Sequence, residues 1–180
     1  MKSDQHNTIL IVGASRGLGH AMAATFLQHG WRSSAPCAIY HPTRRSTTAK
    51  THPLRLRPAT LDIRDEAQLT ALQATLPAAS LDILFVNAGT TNRDPSQTIG
   101  DVHRGVLPVM LTNAPRRCGL SSACSRPLNR RGCSASFPLA GSLTNNLTGQ
   151  RELYRGSKAA LNMFMRSFAA RPPRPPIRWW

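Results

Sequence analysis

The sequence predicts an α/β fold, a doubly wound parallel sheet with right-handed crossovers, on three observations. Short apolar runs bounded by turn residues occur at Thr8–Val12, at Ala59–Asp62 and at Leu81–Val86. Between and after them lie segments whose apolar residues repeat at three and four, the period of a helix lying on a sheet. Three glycines at spacings of four and two follow the first run, in Gly13-Ala-Ser-Arg-Gly17-Leu-Gly19, where a strand gives way to a helix. Alternating strands and helices need crossover connections, and between parallel strands these are right-handed.

Thr8–Val12 is β-branched and apolar throughout, as a strand buried on both faces must be. A helix opens at about Gly17, with Leu18, Met22, Phe26 and the alanines among them as its apolar stripe and Gly30 as its stop. A second strand is expected within 31–58, where Cys37-Ala-Ile-Tyr40 is the best run, but prolines at 36, 42, 53 and 58 argue for irregular chain. Ala59–Asp62 ends a third strand. The helix from Asp65 to Leu76 places Leu69, Leu72 and Leu76 on one face, and Leu81–Val86 is the clearest strand of all. From 102 to 140 the pattern fails, apart from a helical segment at Val109–Ala114; a fifth strand would have to come from Arg131–Pro138, a poor strand sequence. The last helix spans Glu152 to about Ala170, with Leu153, Ala160, Leu161, Phe164, Met165 and Phe168 at helical spacing. Arg171–Trp180 is too rich in proline to extend it. The expectation is one domain over 1–170 with irregular segments around 31–58 and 115–138, followed by a disordered Pro/Arg tail at 171–180; 180 residues suit a single domain.

The net charge of +15 raises the possibility of a nucleic-acid partner. Its origin argues otherwise. Acidic residues are missing from 5–61, 102–151 and 153–180, and there arginines accumulate in pairs, Arg44-Arg45, Arg116-Arg117 and Arg130-Arg131, with no helical face and no aromatic partners for base stacking. Cys37, Cys118, Cys124 and Cys133 form no Cys-x-x-Cys pair and no zinc spacing with histidine, so free thiols and no metal are expected. No run approaches the roughly 20 apolar residues of a membrane span, and the first residues lack a signal-peptide stretch. A cytoplasmic protein is expected.

The chemistry is carried by three motifs. The glycine turn lets the backbone approach a pyrophosphate at a helix N-terminus, although glycine also serves ordinary strand-to-helix turns. Asn87-Ala88-Gly89 follows the clearest strand. In Tyr154-Arg-Gly-Ser-Lys158, a spacing of four on a helix sets the lysine ammonium beside the tyrosine phenol. A nearby cation favours phenolate and draws a tyrosine pKa down from about 10 into the range of a general acid or base. Taken singly, Tyr154 and Lys158 suit a solvated helix face, Asp62 suits a helix cap and Asn113 a turn. Their co-occurrence, in this order, carries the functional reading.

In this order and approximate spacing the motifs resemble the short-chain dehydrogenase/reductase family. Gly13, Gly17 and Gly19 match its Thr-Gly-x-x-x-Gly-x-Gly turn, Asn87-Ala88-Gly89 its Asn-Asn-Ala-Gly motif, and Tyr154 with Lys158 its Tyr-x-x-x-Lys motif. The resemblance implies a Rossmann-type fold and an oxidoreductase moving hydride between a nicotinamide cofactor and a carbonyl or alcohol. It implies Tyr154 as acid/base and Lys158 as the residue that lowers its pKa and holds the nicotinamide ribose, with Asn113 in a proton relay. Gly13, Ser15, Arg16, Gly17, Leu18 and Gly19 then hold the dinucleotide, with Asp62, Ile63, Asn87, Ala88 and Gly89 beside it. NADP is expected over NAD, because no acid lies between Asp4 and Asp62 to bind ribose hydroxyls, whereas Arg16 with Arg44 or Arg45 suits a 2′-phosphate.

Two departures stand out. The family's active-site serine falls at Phe137 or Pro138, leaving Ser142 as the chosen substitute and Ser136 beside it. Family members also run on past the Tyr-x-x-x-Lys helix, so the resemblance implies a C-terminally truncated chain. Acid-free blocks rich in Arg, Pro, Ser and Cys are what out-of-register translation of GC-rich DNA yields, which points to an inactive form. The alternative is a basic, partly disordered nucleic-acid-binding protein with a vestigial nucleotide fold. A small-molecule substrate and, by resemblance, a homo-oligomer are the expected partners.

Overall fold

The structure is a computed structural model that describes residues 7–37, 56–78, 80–92, 94–101, 106–124, 128–135 and 139–171, with only the backbone at 33–37, 56–60, 106–107, 128–135 and 139. Its centre is β1 (Thr8–Val12), which pairs in parallel with β2 (Arg32–Cys37) on one side and β4 (Leu81–Val86) on the other. With β3 (Leu56–Thr60) and β5 (Leu128–Ala135) the strands make one parallel sheet in the order β3-β2-β1-β4-β5. This is the expected doubly wound topology.

Why β1 lacks polar alternation is plain from its surroundings. Ile9, Leu10, Ile11 and Val12 are all buried, and successive side chains point to opposite faces, so each face receives an apolar layer. Leu10 and Val12 join Leu84, Val86, Leu61 and Ile63 on one side, closed by Leu69 and Leu72 of α2 (Glu66–Thr75) and by Leu76 just after it. Ile9 and Ile11 join Phe85 on the other, beneath Ala23 and Leu27 of α1 (Gly17–Gln28). Both helices end or begin as their residues demand. Gly30, at φ +81°, donates to the Leu27 carbonyl while Trp31 donates to that of Phe26, a paired bond pattern that only a left-handed residue permits. Asp65, not Asp62, caps α2: its carboxylate accepts from the amides of Ala67 and Gln68.

The expected irregular segments contain regular elements. β2 runs over Arg32–Cys37 instead of 37–40, starting directly after the α1 stop, where the Arg32 amide donates to the Asn7 carbonyl; residues 38–40 lie outside those described, as do Arg44 and Arg45. The prolines are tolerated by position. β2 partners β1 from Arg32 to Ser34, so Pro36 lies beyond that ladder, and Pro58 is on β3, an edge strand. Between α3 (Val106–Asn113) and β5 the chain forms α4 (Pro115–Ala123), opened by a proline at its first position, where the missing amide hydrogen costs nothing. β5 sits three residues earlier than Arg131–Pro138, and its pairing with β4 slips between Leu81 and Ile83. α5 covers Glu152–Ala169, as its periodicity predicts. Residues 136–138 and 172–180 are outside the described set, and with them Ser136, the serine position at Phe137 or Pro138, and most of the expected tail. Among the described residues no helix is long and apolar enough to cross a membrane.

Candidate functional site

The strand order reverses direction between β1 and β4, so their C-terminal ends open a crevice, the place where parallel α/β sheets bind ligands. Gly13 leaves β1 at φ +91°, and a Cβ there would stand 2.5 Å from the Ala88 amide nitrogen. Gly19 packs just as closely, with the Gly13 carbonyl and the Asn87 side-chain amide occupying the room a Cβ would need. Glycine at both positions is what lets the turn after β1 lie directly on the turn after β4. Asn87 fastens the two: its Nδ2 donates to the Gly13 carbonyl at 2.9 Å, and the Asn87 and Ala88 amides both donate to the Val12 carbonyl at 2.8 Å. Gly17 differs. At φ +59° it has nothing within 4 Å of its missing Cβ, so it borders open space at the start of α1. Arg16, the residue before that helix, gives no side-chain cap, and the first turn holds no acid, which leaves the amides of α1 facing the crevice with the positive end of the helix dipole. Ser15, Arg16 and Leu18 are exposed around it. A cradle of this kind fits the pyrophosphate of a dinucleotide.

On the β4 side α5 supplies the reactive groups. The Lys158 Nζ lies 5.5 Å from the centroid of the half-buried Tyr154 ring, so the expected pairing of cation and phenol is formed. Lys158 is itself buried, and its ammonium is brought down to about 8 by loss of hydration and then by the charge of Arg117. Asn113, fully buried at the end of α3, ties α5 to the loop after Gly89. Its Oδ1 accepts from the Thr90 amide at 2.8 Å, and its Nδ2 donates to the Thr90 carbonyl at 2.7 Å and to the Ser157 hydroxyl at 2.9 Å. Ser157 in turn donates to the Tyr154 carbonyl at 2.7 Å. The Asn113 amide is thus spent on holding the loop after Gly89 against α5.

Other expected residues lie apart from this cluster. Asp62 is half-exposed at the end of the β3 segment between buried Leu61 and Ile63, and its carboxylate is held by Arg64 at 2.7 Å, which lowers its pKa. Ser142 follows a 3₁₀ turn at Leu139–Gly141 whose Gly141 sits against the Lys158 backbone, but the Ser142 hydroxyl accepts from the Asn145 amide at 3.2 Å. No described bond joins Ser142 to Tyr154. Cys118 and Cys124 are free and buried; burial raises both thiols, that of Cys124 to about 11.

The residue that sequence reasoning missed is Arg117. It sits on α4 with 2 % of its surface exposed, donates through Nη2 to the Val86 carbonyl, and brings Nη1 within 3.2 Å of the point where a Gly89 Cβ would stand. In the sequence it is half of an arginine pair in a segment without period. Its neighbour Arg116 turns outward to Glu66 at 2.8 Å.

The profile of short chain dehydrogenases matches residues 7–178, nearly the whole chain. The chain belongs to the short-chain dehydrogenase family. A protein from Burkholderia multivorans described as a short-chain dehydrogenase/reductase, with bound NADP, is 47% identical, with a TM-score of 0.87; the similarity covers 97% of this chain and 77% of that one. A carbonyl reductase from Pseudomonas aeruginosa in complex with NADP is 30% identical, with a TM-score of 0.86, over 97% of this chain and 76% of that one. No curated protein sequence matches significantly.

Proposed function

We propose that this chain is an NADP-dependent oxidoreductase acting on a small carbonyl or alcohol, with Tyr154 as its acid/base. The observation that supports the reading is that Asn87 locks the glycine turn after β1 onto the turn after β4, while Asn113 joins the loop after Gly89 to α5, the helix that carries Tyr154 and Lys158. Bound NADP would supply or accept the hydride. Gly13, Gly17 and Gly19 with the α1 amides would hold its pyrophosphate, Asp62 and Ile63 would border the adenine, and Asn87, Ala88 and Gly89 would floor the crevice toward the nicotinamide. Arg16 suits the 2′-phosphate, and the absence of acid between Asp4 and Asp62 removes the group that would repel it.

Tyr154 would transfer the proton to or from the substrate oxygen, and Lys158 keeps positive charge beside the phenol and would hold the ribose of the bound cofactor. Asn113 acts by fixing Thr90 and Ser157, and so the facing of α5 toward the crevice. Ser142 is the nearest candidate for a substrate-binding serine; its oxygen accepts from the Asn145 amide, which leaves its O–H to donate to a substrate oxygen. Two titrations test the reading. NADPH added at about a hundred times its dissociation constant is expected to stabilise the protein by about 2.7 kcal/mol. Oxidation of NADPH with a panel of aldehydes and ketones, followed at 340 nm, should be lost by a factor of roughly 10² to 10⁴ in Tyr154→Phe while NADPH binding persists. Equal turnover by the variant sinks the assignment. No NADPH response together with DNA retention that falls steeply with salt would instead favour a nucleic-acid-binding protein.

A further inference from the structure

Tyr154 is the third residue of α5, and that helix starts without an ordinary cap. A helix usually opens from an extended residue whose side chain accepts a bond from the first turn. Here Arg151 holds that place at φ 54°, ψ 40°, with no side-chain cap, and the acid of the first turn, Glu152, accepts instead from the Ile99 amide at 2.8 Å. The two residues before it are left-handed as well, Gly149 at φ +70° and Gln150 at φ +31°. Only glycine takes this backbone freely; other residues keep it where their surroundings hold them to it.

Arg155, half-buried and next to Tyr154 in the chain, supplies such a hold. Its Nε donates to the Gln150 carbonyl at 3.1 Å and its Nη2 to the Thr148 hydroxyl at 3.3 Å. From the other side the Pro95 carbonyl accepts from the Arg151 amide at 2.9 Å. We propose that Arg155 is a positioning residue for Tyr154: by bonding Thr148 and Gln150 it keeps Gln150 and Arg151 in the left-handed turn from which α5 starts, and so sets where the phenol stands. The inference rests on the oxidoreductase reading. Helix ends fray, and the amides of a first turn have no partners within the helix, so a tyrosine three residues in depends on how the chain enters. Lys158, a turn deeper and buried, is held by its packing. A general acid must come within about 3 Å of the oxygen it serves, and a misplacement of about 1 Å costs up to roughly a hundredfold in rate.

Arg155→Met keeps the aliphatic stem and removes the donors. With NADPH and a carbonyl substrate its kcat is expected to fall about tenfold to a hundredfold, while the dissociation constant for NADPH is unchanged, since no described bond joins Arg155 to the glycine turn. In the cofactor-free protein the amides of Arg151 and residue 155, bonded to the carbonyls of Pro95 and Arg151, are expected to lose on the order of tenfold protection from hydrogen exchange by NMR. Adding Gln150→Gly and Arg151→Gly to Arg155→Met should recover most of the lost kcat, because glycine takes left-handed backbone unaided; the charge is not restored, so recovery separates backbone placement from electrostatics. Circular dichroism checks that each variant is folded; should Arg155→Met not fold, Arg155→Gln takes its place. An unchanged kcat or unchanged protection overturns the proposal. So does a fall in kcat accompanied by weaker NADPH binding, which marks a general structural role, or a loss that the two glycines leave in place. In each of these cases the wild type still turns over; a wild-type chain without turnover overturns the oxidoreductase reading, and this inference with it.

Discussion

β4 and α4 lie against each other and show opposite ways for a sequence to reach the interior. β4 does it with side chains: Leu81, Leu84, Phe85 and Val86 are buried in the two apolar layers, and their apolar run by itself announces a strand. α4 does it with a mixture, burying Cys118 and Leu120 but also Ser121 and the guanidinium of Arg117. The lesson is that periodicity is legible only where apolar burial determines the segment. Where backbone hydrogen bonds or a single charged group determine it, composition gives little warning.

The contrast can be broken most sharply in β4. Leu84→Ala removes a fully buried side chain from the larger cluster and is expected to cost about 2 to 5 kcal/mol in urea denaturation; a loss below about 1 kcal/mol would show that this layer is not packed as described. Next comes the turn that rests on β4. Gly13→Ala must place a Cβ against the Ala88 backbone at positive φ, and a loss of roughly 2 to 4 kcal/mol is expected together with weakened NADPH binding.

A smaller effect tests the α4 side through pH. Lys158 is brought down to about 8 from 10.5 by burial first and Arg117 second. Between those values the unfolded chain holds a proton that the folded chain has lost, so stability rises with pH across the window. Cys118 and Cys124, both raised from 9.0, act in the opposite sense above that value. The difference in stability between the wild type and Lys158→Met isolates the lysine, because the thiols titrate in both, and between about pH 8 and about pH 9 it is expected to grow by about 1 kcal/mol. Denaturation curves of the two proteins measure it. The smallest effect is a gain: Gly119→Ala in α4 meets nothing within 4 Å and should stabilise the helix by about 0.5 to 1 kcal/mol, where the same change at Gly13 destabilises.

These differences also mark how far the sequence could be read. β1, α1, α2, β4 and α5 follow their expected bounds to within a residue or two, because each buries an apolar stripe or face. β3, expected to end at Asp62, ends at Thr60, and β2 and β5 are obscured by Arg, Pro and Ser, residues that strands accept when the ladder is made by main-chain groups and the proline stands beyond a partner or at an edge. In the site, Gly13 and Gly19 pack against Asn87 and Ala88, and separately Lys158 lies beside the Tyr154 ring. Arg117 does not appear in any motif, since its burial depends on which way one helix turns a side chain.

The bond from Asn87 to the Gly13 carbonyl spans 74 residues of chain. Contacts that far apart in sequence are slow to form, because the intervening loop must lose its freedom before they repay it. During synthesis the first turn leaves the ribosome long before its partner exists, and it waits as an open strand end with Ile9, Leu10, Ile11 and Val12 in need of cover. The ligand crevice is therefore assembled late, and the vulnerable period of this molecule is the interval between making Gly13 and making Asn87.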